Sequence, residues 1–308
     1  MIEMKHFLSL ANLSSKEMHM LINKGIAIKK NPSRFSSKLK GKTLILLFDE
    51  PSLRTRISFE AGMLQLGGHA ITYHLSESTV GKKESPKDFS QVLSRYVDII
   101  MARLYSSEML AEIARNSRVP VINGMTSAEH PCQVLSDLMT ICEKRGKLKG
   151  LKLAYVGDGL NNTTHSLLYG CSKSGVDVSI GCPKQMMPDS KVLAKAKEFA
   201  KIHGSKVHVT ASASEAVSGS DIIYTDSWMS YHVPHNQEKS RHKILMPYQV
   251  NKQLMKHAPK ALFMHCLPAK RGAEVTDGVI DSKASIVYDQ AENRLHAQKA
   301  LLLWLMKK

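Results

Sequence analysis

Hydroxyl and guanidinium side chains cluster directly after an apolar run near the start of the chain. The apolar run is Thr43–Phe48, and the segment that follows contains Ser52, Arg54, Thr55 and Arg56. A stretch of helical character begins there, and the first turn of a helix offers unpaired backbone N–H groups and the positive end of its dipole. The segment therefore predicts a phosphate-binding site. Taken alone, it is equally compatible with a capped helix that carries exposed arginines.

Five further polar clusters follow apolar runs later in the chain. They are Arg103 with Tyr105, His130-Pro131-Cys132-Gln133, Asn161 with Asn162, Asp226, and His265-Cys266-Leu267-Pro268. In an open parallel sheet, ligands bind beyond the carboxyl ends of the strands. Six strand ends with polar, charged or nucleophilic groups therefore predict an active site formed by these ends.

The elements that must position these groups alternate between short apolar runs and segments of helical period. After an amphipathic stretch over 14–30, the first half has predicted strands at 43–48, 70–75, 99–104 and 119–123, and predicted helices at 55–66, 88–96, 108–116 and 131–145. The second half has predicted strands at 151–156, 176–181, 206–210, 221–225 and 261–266, and predicted helices at 162–174, 191–202, 248–257 and 291–306.

This alternation predicts an α/β fold of two domains, each a mostly parallel sheet flanked by helices, with the active site in the cleft between them. A polar stretch bounded by glycines, 146–150, separates the two sets of elements. We predict the domain boundary at this stretch, with domains over 1–146 and 147–290 and the C-terminal helix, 291–308, packing back on the first domain.

Composition limits the class of protein. The chain has 308 residues, 43% hydrophobic and 23% charged, which suffices for two ordinary domains. No apolar run reaches the roughly 18 to 20 residues of a membrane span, and the first residues lack the pattern of a signal peptide, so we expect a cytoplasmic protein without a membrane partner. The five cysteines contain no C-x-x-C pair, which argues against a disulfide framework and a zinc site.

The formal net charge of +16 raises the possibility of nucleic-acid binding. The basic residues are spread along the chain and accompany no named nucleic-acid motif, so we expect no specific nucleic-acid partner. An anionic small substrate explains the charge at least as well.

Taken in order, the motifs resemble the aspartate/ornithine carbamoyltransferase family. The residues that carry the resemblance are Ser52-Leu53-Arg54-Thr55-Arg56, Ala102-Arg103-Leu104-Tyr105, His130-Pro131-Cys132-Gln133, Asp226-Ser227-Trp228-Met229-Ser230, His265-Cys266-Leu267-Pro268 and Glu292-Asn293-Arg294. The S-x-R-T-R element marks the wider family, whereas H-C-L-P points to its ornithine branch. The resemblance extends from about residue 6 to the C-terminus.

The resemblance implies transfer of a carbamoyl group from carbamoyl phosphate to the δ-amine of L-ornithine, giving citrulline and phosphate, without a metal or an organic cofactor. It also implies arginine or citrulline metabolism and a homotrimer, or a multiple of trimers. The carbamoyl-phosphate-binding residues that it implies are Ser52, Leu53, Arg54, Thr55, Arg103, His130, Gln133, Cys266, Leu267 and Arg294. Within this set, Gln133 binds the carbamoyl NH2 group through its amide oxygen.

For the chemistry and the acceptor, the resemblance implies two further sets. The catalytic residues are Arg103, His130, Asp226, Cys266 and Arg294, and the ornithine-binding residues are Asn162, Asp226, Ser230 and Tyr231. Structural roles remain as alternatives from the residues themselves: a helix cap for His130, a first-turn residue for Gln133, a buried thiol for Cys266, a turn residue for Asp226 and surface ion pairs for the two arginines.

The chain departs from the family pattern in two places. Tyr231 and His232 replace a methionine and a glycine on a loop that closes over the amino acid in the family, so a different acceptor such as putrescine or a modified ornithine is an alternative. Thr79 stands where the family commonly has a histidine or glutamine that reaches a neighbouring subunit, and Lys82 or Lys83 is a candidate to replace that charge. A binding protein that retains the fold without activity is the alternative from another class.

Overall fold

The structure is a computed structural model that describes residues 5–78, 80–81, 83–229 and 233–306. The chain divides into two compact units, Met1–Met139 with Asn293–Lys308, and Thr140–Glu292. In the described ranges, no helix is both long enough and apolar enough to cross a membrane.

The first unit contains a four-stranded parallel sheet in the order β2-β1-β3-β4. Its strands are β1 (Thr43–Phe48), β2 (His69–His74), β3 (Ile99–Arg103) and β4 (Val121–Met125). Its helices are α1 (Ser15–Lys30), α2 (Leu53–Gln65), α3 (Pro86–Leu93) and α4 (Ser107–Asn116), and α5 (Pro131–Arg145) begins in it.

The second unit contains a five-stranded parallel sheet in the order β7-β6-β5-β8-β9. Its strands are β5 (Lys152–Val156), β6 (Asp177–Gly181), β7 (Val207–Thr210), β8 (Ile222–Thr225) and β9 (Leu262–His265). Its helices are α6 (Asn162–Ser174), α7 (Ser190–His203), α8 (Ala213–Val217), α9 (Glu238–Leu245), α10 (Lys252–Met255), α11 (Asp277–Ile280) and the start of α12 (Val287–Leu305).

Local sequence explains most of these elements. The β1 residues Leu44 to Phe48 are all buried, as expected for a parallel strand that is covered on both faces. The N-terminus of α1 carries a capping box, in which Ser14 and Glu17 satisfy each other's backbone N–H groups. Ser85 and Ser106 cap α3 and α4 more simply, since each hydroxyl accepts one backbone N–H, from Asp88 and Met109 respectively.

Each sheet has one point at which the strand order reverses. In the first unit the chain moves from β1 to β2 on one side and returns to place β3 on the other side of β1. In the second unit β6 and β7 lie on one side of β5, and β8 and β9 lie on the other. Loops after strands that flank such a switch point diverge and leave a crevice for a ligand. The two crevices lie after β1 and β3, and after β5 and β8.

The prediction of two mostly parallel, helix-flanked sheets is confirmed. The predicted helix over 248–257 is wrong, because Val250 pairs with Val275 in a parallel bridge and Asn251 then caps a separate short helix, α10. The last helix begins at Val287, earlier than predicted. The short helices α8, α9 and α11 were not predicted. The two compact units meet in sequence inside α5, whereas the predicted domain boundary at 146 stays a prediction.

Candidate active site

The start of α2 is open to an anion. Ser52 is the N-cap residue of α2, and its hydroxyl makes no capping hydrogen bond to the first turn. The backbone N–H groups of this turn are therefore not satisfied by their own cap. Arg54 is half-buried in the same turn. An ordinary serine cap is therefore absent at Ser52, and the phosphate site at the end of β1 stays a prediction.

Two guanidinium groups meet on one hydroxyl of the first unit. Thr55 Oγ1 accepts hydrogen bonds from Arg294 Nη2 at 2.7 Å and from Arg103 Nη1 at 3.4 Å. Arg103 ends β3, where the pairing with β4 shifts register after Ala102, and Arg294 lies on α12. Thr55 and Arg294 are buried and Arg103 is half-buried, so Arg294 is not a surface ion-pair residue of the kind considered above. Two positive charges this close, in a poorly solvated place, favour an anionic ligand.

His130 lies beside the same two charges. The side chain is buried, and burial together with the positive charges of Arg294 and Arg103 holds the pKa of His130 well below its ordinary value. The imidazole is therefore neutral at neutral pH. A neutral imidazole offers one N–H donor and one acceptor, so it can polarise a carbonyl oxygen without adding a third charge.

Gln133 presents a buried acceptor. Its Nε2 donates to Asp137 Oδ1 at 2.8 Å, which fixes the orientation of the amide because a carboxylate only accepts. The amide oxygen Oε1 is buried and has no hydrogen-bond partner among the described residues. Leaving such an oxygen unpaired costs about 1 to 3 kcal/mol, so the site is suited to a ligand that brings an N–H donor.

A thiol and a carboxylate form the polar centre of the second unit. Cys266 Sγ donates to Asp226 Oδ1 at 2.8 Å, and the backbone N–H of Ser227 donates to the same oxygen at 2.7 Å. Asp226 is buried at the end of β8, and Cys266 follows β9. Burial, with the nearby carboxylates of Asp226 and Asp158, raises the pKa of Tyr155 well above its ordinary value. The arrangement can bind a cationic amine and accept a proton from it.

The turn after β9 is held by His265 together with two residues that no sequence motif contained, Gln290 and Glu274. His265 Nδ1 accepts the backbone N–H of Leu267 at 2.9 Å, and Leu267 has a φ of +58°, which is unusual for a branched residue. The backbone N–H of His265 donates to Gln290 Oε1 at 2.9 Å, and the ring atom His265 Nε2 lies 3.4 Å from Glu274 Oε1. No local signal identified Gln290 or Glu274, because their partner lies on another element.

Asn162 starts α6 after the glycine-rich turn that follows β5. It is buried and its Oδ1 accepts a hydrogen bond from Thr163 Oγ1 at 3.4 Å, while Asn161 caps the helix. Gly159 has a packing role, because a Cβ at this position would lie 2.3 Å from the Met186 carbonyl oxygen. Gly159 is therefore needed for the close packing of this turn.

Five residues named in the sequence analysis are not described by the structure. Ser230, Tyr231, His232, Thr79 and Lys82 lie outside the described residues.

Asp226, His265 and Cys266 offer ligand atoms within 4.8 Å of one another, a set that suits a divalent cation such as zinc. In the structure the carboxylate and the thiol of this set bond to each other, and His265 Nδ1 bonds to Leu267.

The other cysteines serve packing. All five cysteines lie in the described residues and none of them forms a disulfide; Cys132, Cys171 and Cys182 are buried, while Cys142 is half-buried. Burial raises the pKa of Cys132 and of Cys182 to about 12, which keeps both thiols protonated. Cys266 therefore differs from these buried cysteines in having a carboxylate as its hydrogen-bond acceptor.

Comparisons with known proteins agree along the whole chain. The family domain described as "Aspartate/ornithine carbamoyltransferase, carbamoyl-P binding domain" matches residues 5–143, and the "Asp/Orn binding domain" matches residues 149–305. The ornithine carbamoyltransferase of Methanocaldococcus jannaschii is 45% identical over 305 residues, which cover 98% of this chain and 99% of that protein.

Solved structures of ornithine carbamoyltransferases are also similar to this chain over nearly its whole length. The ornithine carbamoyltransferase from Pyrococcus furiosus superimposes with a TM-score of 0.93 at 45% identity, covering 97% of this chain and 96% of that chain. The anabolic ornithine carbamoyltransferase from Campylobacter jejuni superimposes with a TM-score of 0.92 at 34% identity, covering 98% and 99% of the two chains.

Proposed function

Because the chain belongs to the aspartate/ornithine carbamoyltransferase family, we propose that it transfers the carbamoyl group of carbamoyl phosphate to the δ-amine of L-ornithine. The products are L-citrulline and phosphate. The observation that carries the choice of acceptor is the buried Asp226 carboxylate with Cys266 at 2.8 Å, since a carboxylate attracts a cationic amine. The relative and the two solved structures described above, all named ornithine carbamoyltransferases, support the same choice.

The leaving phosphate binds at the start of α2. The first-turn N–H groups at Ser52, Leu53, Arg54 and Thr55, which the Ser52 hydroxyl leaves uncapped, supply backbone donors. The guanidiniums of Arg54 and Arg103 add charge-assisted hydrogen bonds. This arrangement neutralises the charge that develops on phosphate as the C–O bond to the carbamoyl carbon breaks.

The carbonyl oxygen of the donor becomes anionic in the tetrahedral intermediate. Arg103, Arg294 and His130 stabilise it, since both guanidiniums already converge on Thr55 and the neutral imidazole beside them can donate one N–H. Donors that are in place before the reaction cost no reorganisation when the charge forms.

The carbamoyl NH2 group binds to the amide oxygen of Gln133. That oxygen is a buried acceptor without a partner in the described part of the chain. From the family resemblance, the backbone carbonyls at Cys266 and Leu267 are proposed to share the task. A donor lacking this NH2 group would leave the Gln133 oxygen unpaired.

The acceptor binds with its two ends in different turns of the second unit. Asp226 and Cys266 orient the δ-amine and the Asp226 carboxylate takes up its proton, while Asn162 at the start of α6 binds the α-amino-acid end. The positive end of the α6 dipole also favours the acceptor's carboxylate. Ser230 and Tyr231 are proposed from the family resemblance to complete this site.

We also propose that the chain forms a homotrimer or a multiple of it. An apolar groove of about 520 Å³ on the first unit supports self-association, with Ile57, Ala61 and Leu64 of α2 on one side and His69 and Ala70 of β2 on the other. Leu64 is 72% exposed, and β2 is an edge strand of its sheet. Exposed apolar surface of this kind on a folded chain favours burial against another protein surface.

In metabolism, the reaction belongs to arginine synthesis, with the reverse, catabolic direction as the alternative. The placement of both substrate sites in one cleft and the cytoplasmic location stay predictions.

The experiment offers carbamoyl phosphate together with ornithine, putrescine, N-acetylornithine, lysine or aspartate in separate reactions. Phosphate release and the carbamoylated product are then measured. We expect citrulline from ornithine and no comparable product from the others. Preferential transfer to another amine would reassign the acceptor to it, and transfer to none would contradict the proposed activity.

A further inference from the structure

Arg241 on α9 makes two hydrogen bonds with groups far from it in sequence. Its Nε donates to the backbone oxygen of Trp228 at 2.8 Å, and its Nη2 forms an ion pair with Asp158 Oδ2. The Arg241 side chain is 11% exposed and the Asp158 side chain is 2% exposed. The pair is therefore nearly dry, unlike the exposed ion pairs elsewhere in the second unit, such as Lys195 with Glu198.

The two partners of Arg241 belong to the two turns that flank the switch point of the second sheet. Asp158 lies in the turn after β5, which leads directly to Asn162. Trp228 lies two residues after Asp226, in the turn after β8. One guanidinium thus joins the turn that carries the proposed α-amino-acid contact to the turn that carries the proposed amine contact.

Both turns make further contacts of their own where Arg241 reaches them. Asp158 Oδ1 accepts the backbone N–H of Leu160 at 2.9 Å, and its backbone oxygen accepts Thr164 Oγ1 at 3.1 Å, which ties it to the start of α6. Trp228 is 1% exposed and packs in a small apolar cluster with Leu245 and others. A shift of Arg241 would therefore move whole turns and not single side chains.

A guanidinium suits this task because its donors have a fixed, planar arrangement. Nε and Nη2 point to two acceptors at once, so the spacing between the Trp228 oxygen and the Asp158 carboxylate is set by the dimensions of the group. A lysine at this position would keep the positive charge but would lose the planar pair of donors that reaches both acceptors.

From this geometry we propose that Arg241 is a positioning residue that sets the distance between the two acceptor-binding turns and thereby selects the length of the amino acid. The inference rests on the proposed function, because it assigns the two ends of the acceptor to these turns. It predicts that Arg241 acts on the acceptor and leaves binding of carbamoyl phosphate to the first unit unchanged.

The test compares Arg241→Lys with a double variant, Asp158→Asn with Arg241→Gln. The double variant removes both buried charges together and keeps a donor facing an acceptor, so it avoids the unpaired charge that a single neutral substitution would leave. Lys195→Gln, which breaks an exposed ion pair in the same unit, is the control. Steady-state KM values for ornithine and carbamoyl phosphate, kcat, the ratio of ornithine to lysine use and the thermal midpoint are measured for each.

We expect both test variants to raise the KM for ornithine by about tenfold or more and to reduce the preference for ornithine over lysine, with the KM for carbamoyl phosphate within about twofold of the parent. Lys195→Gln should match the parent in all values. The variants could instead lose only thermal stability or kcat, with the KM for ornithine and the ratio of ornithine to lysine use unchanged. Arg241 would then only stabilise the fold, and the inference would be wrong. Activity of the parent with ornithine is measured first, so that failure of the proposed function is recognised separately.

Discussion

Arg294 and Thr55, 239 residues apart in sequence, are joined by a hydrogen bond of 2.7 Å in which the guanidinium donates to the hydroxyl. The bond brings the last helix, α12, to the first turn of α2, where the phosphate site is proposed. Arg103 reaches the same hydroxyl from the end of β3. Thr55 therefore orients two cations as well as contributing a donor of its own.

Thr55→Val removes this hydroxyl and keeps the shape of the side chain. A hydrogen bond to a charged group contributes about 1.5 to 3 kcal/mol, so we expect kcat/KM for carbamoyl phosphate to fall about 10- to 100-fold. Thr276→Val is the control, since the Thr276 hydroxyl makes no capping hydrogen bond. An unchanged kcat/KM for the Thr55 variant would show that the two arginines hold their positions without it.

Arg54→Ala tests the phosphate site itself. Losing one charged contact to the leaving phosphate should lower kcat/KM for carbamoyl phosphate about 100-fold or more, with the fold intact by circular dichroism. Arg34→Ala, at an exposed position of the same unit, should behave like the parent. An active Arg54→Ala enzyme would remove Arg54 from the phosphate site.

Asp226→Asn tests the acceptor. The amide keeps the hydrogen-bonding shape but cannot attract the ammonium form or take up its proton, so kcat/KM for ornithine should fall about 100-fold or more. The KM for carbamoyl phosphate should change by less than about twofold. Asp281→Asn, on the surface of the same unit, is the matched control. Unchanged ornithine kinetics would exclude Asp226 from the mechanism.

His130 predicts a specific dependence of stability on pH. Its folded pKa is lowered, so below the ordinary value of 6.5 the unfolded chain binds a proton that the folded chain does not. Stability is therefore retained above about pH 6.5 and falls on acidification below it, approaching a slope of about 1.4 kcal/mol per pH unit from this group.

Urea unfolding between about pH 5 and pH 8 measures this slope. His130→Gln should unfold with a shallower pH dependence below pH 6.5 than the parent, whatever its stability at neutral pH. His257→Gln, which changes an exposed histidine, should keep the slope of the parent. Identical slopes for the parent and His130→Gln would mean that the buried imidazole is not held neutral.

The groove on α2 predicts the assembly state. Leu64→Glu places a charge in an apolar surface, so the parent should elute at about three times the chain mass of 34.2 kDa in light scattering and the variant at a lower mass. Ile202→Glu is a close control, because Leu64 and Ile202 are both 72% exposed and Ile202 lies on α7 of the other unit. A trimeric Leu64→Glu protein would place the subunit contact elsewhere.

The sequence by itself determined the elements and the types of group that follow the strands. The bounds of β1, α5 and α6 agree with the prediction residue for residue, because each has a strong local pattern, an apolar run or a helical segment with a clear start. Polar residues at strand ends could be selected because a parallel sheet collects these ends at one edge. The family resemblance supplied the roles of Arg103, Arg294 and Asn162.

Tertiary structure alone decided which of these groups meet. Two arginines converge on Thr55, and Cys266 bonds to Asp226, across sequence separations that no local pattern encodes. The lowered pKa of His130 depends on its tertiary surroundings, as does the burial of the Gln133 amide oxygen, which has no partner among the described residues. The helix predicted over 248–257 failed for the same reason, since a bridge from Val250 to Val275 outweighed local helix propensity. Arg241 had no recognisable signal in the sequence, because its importance comes from the two distant turns that it joins.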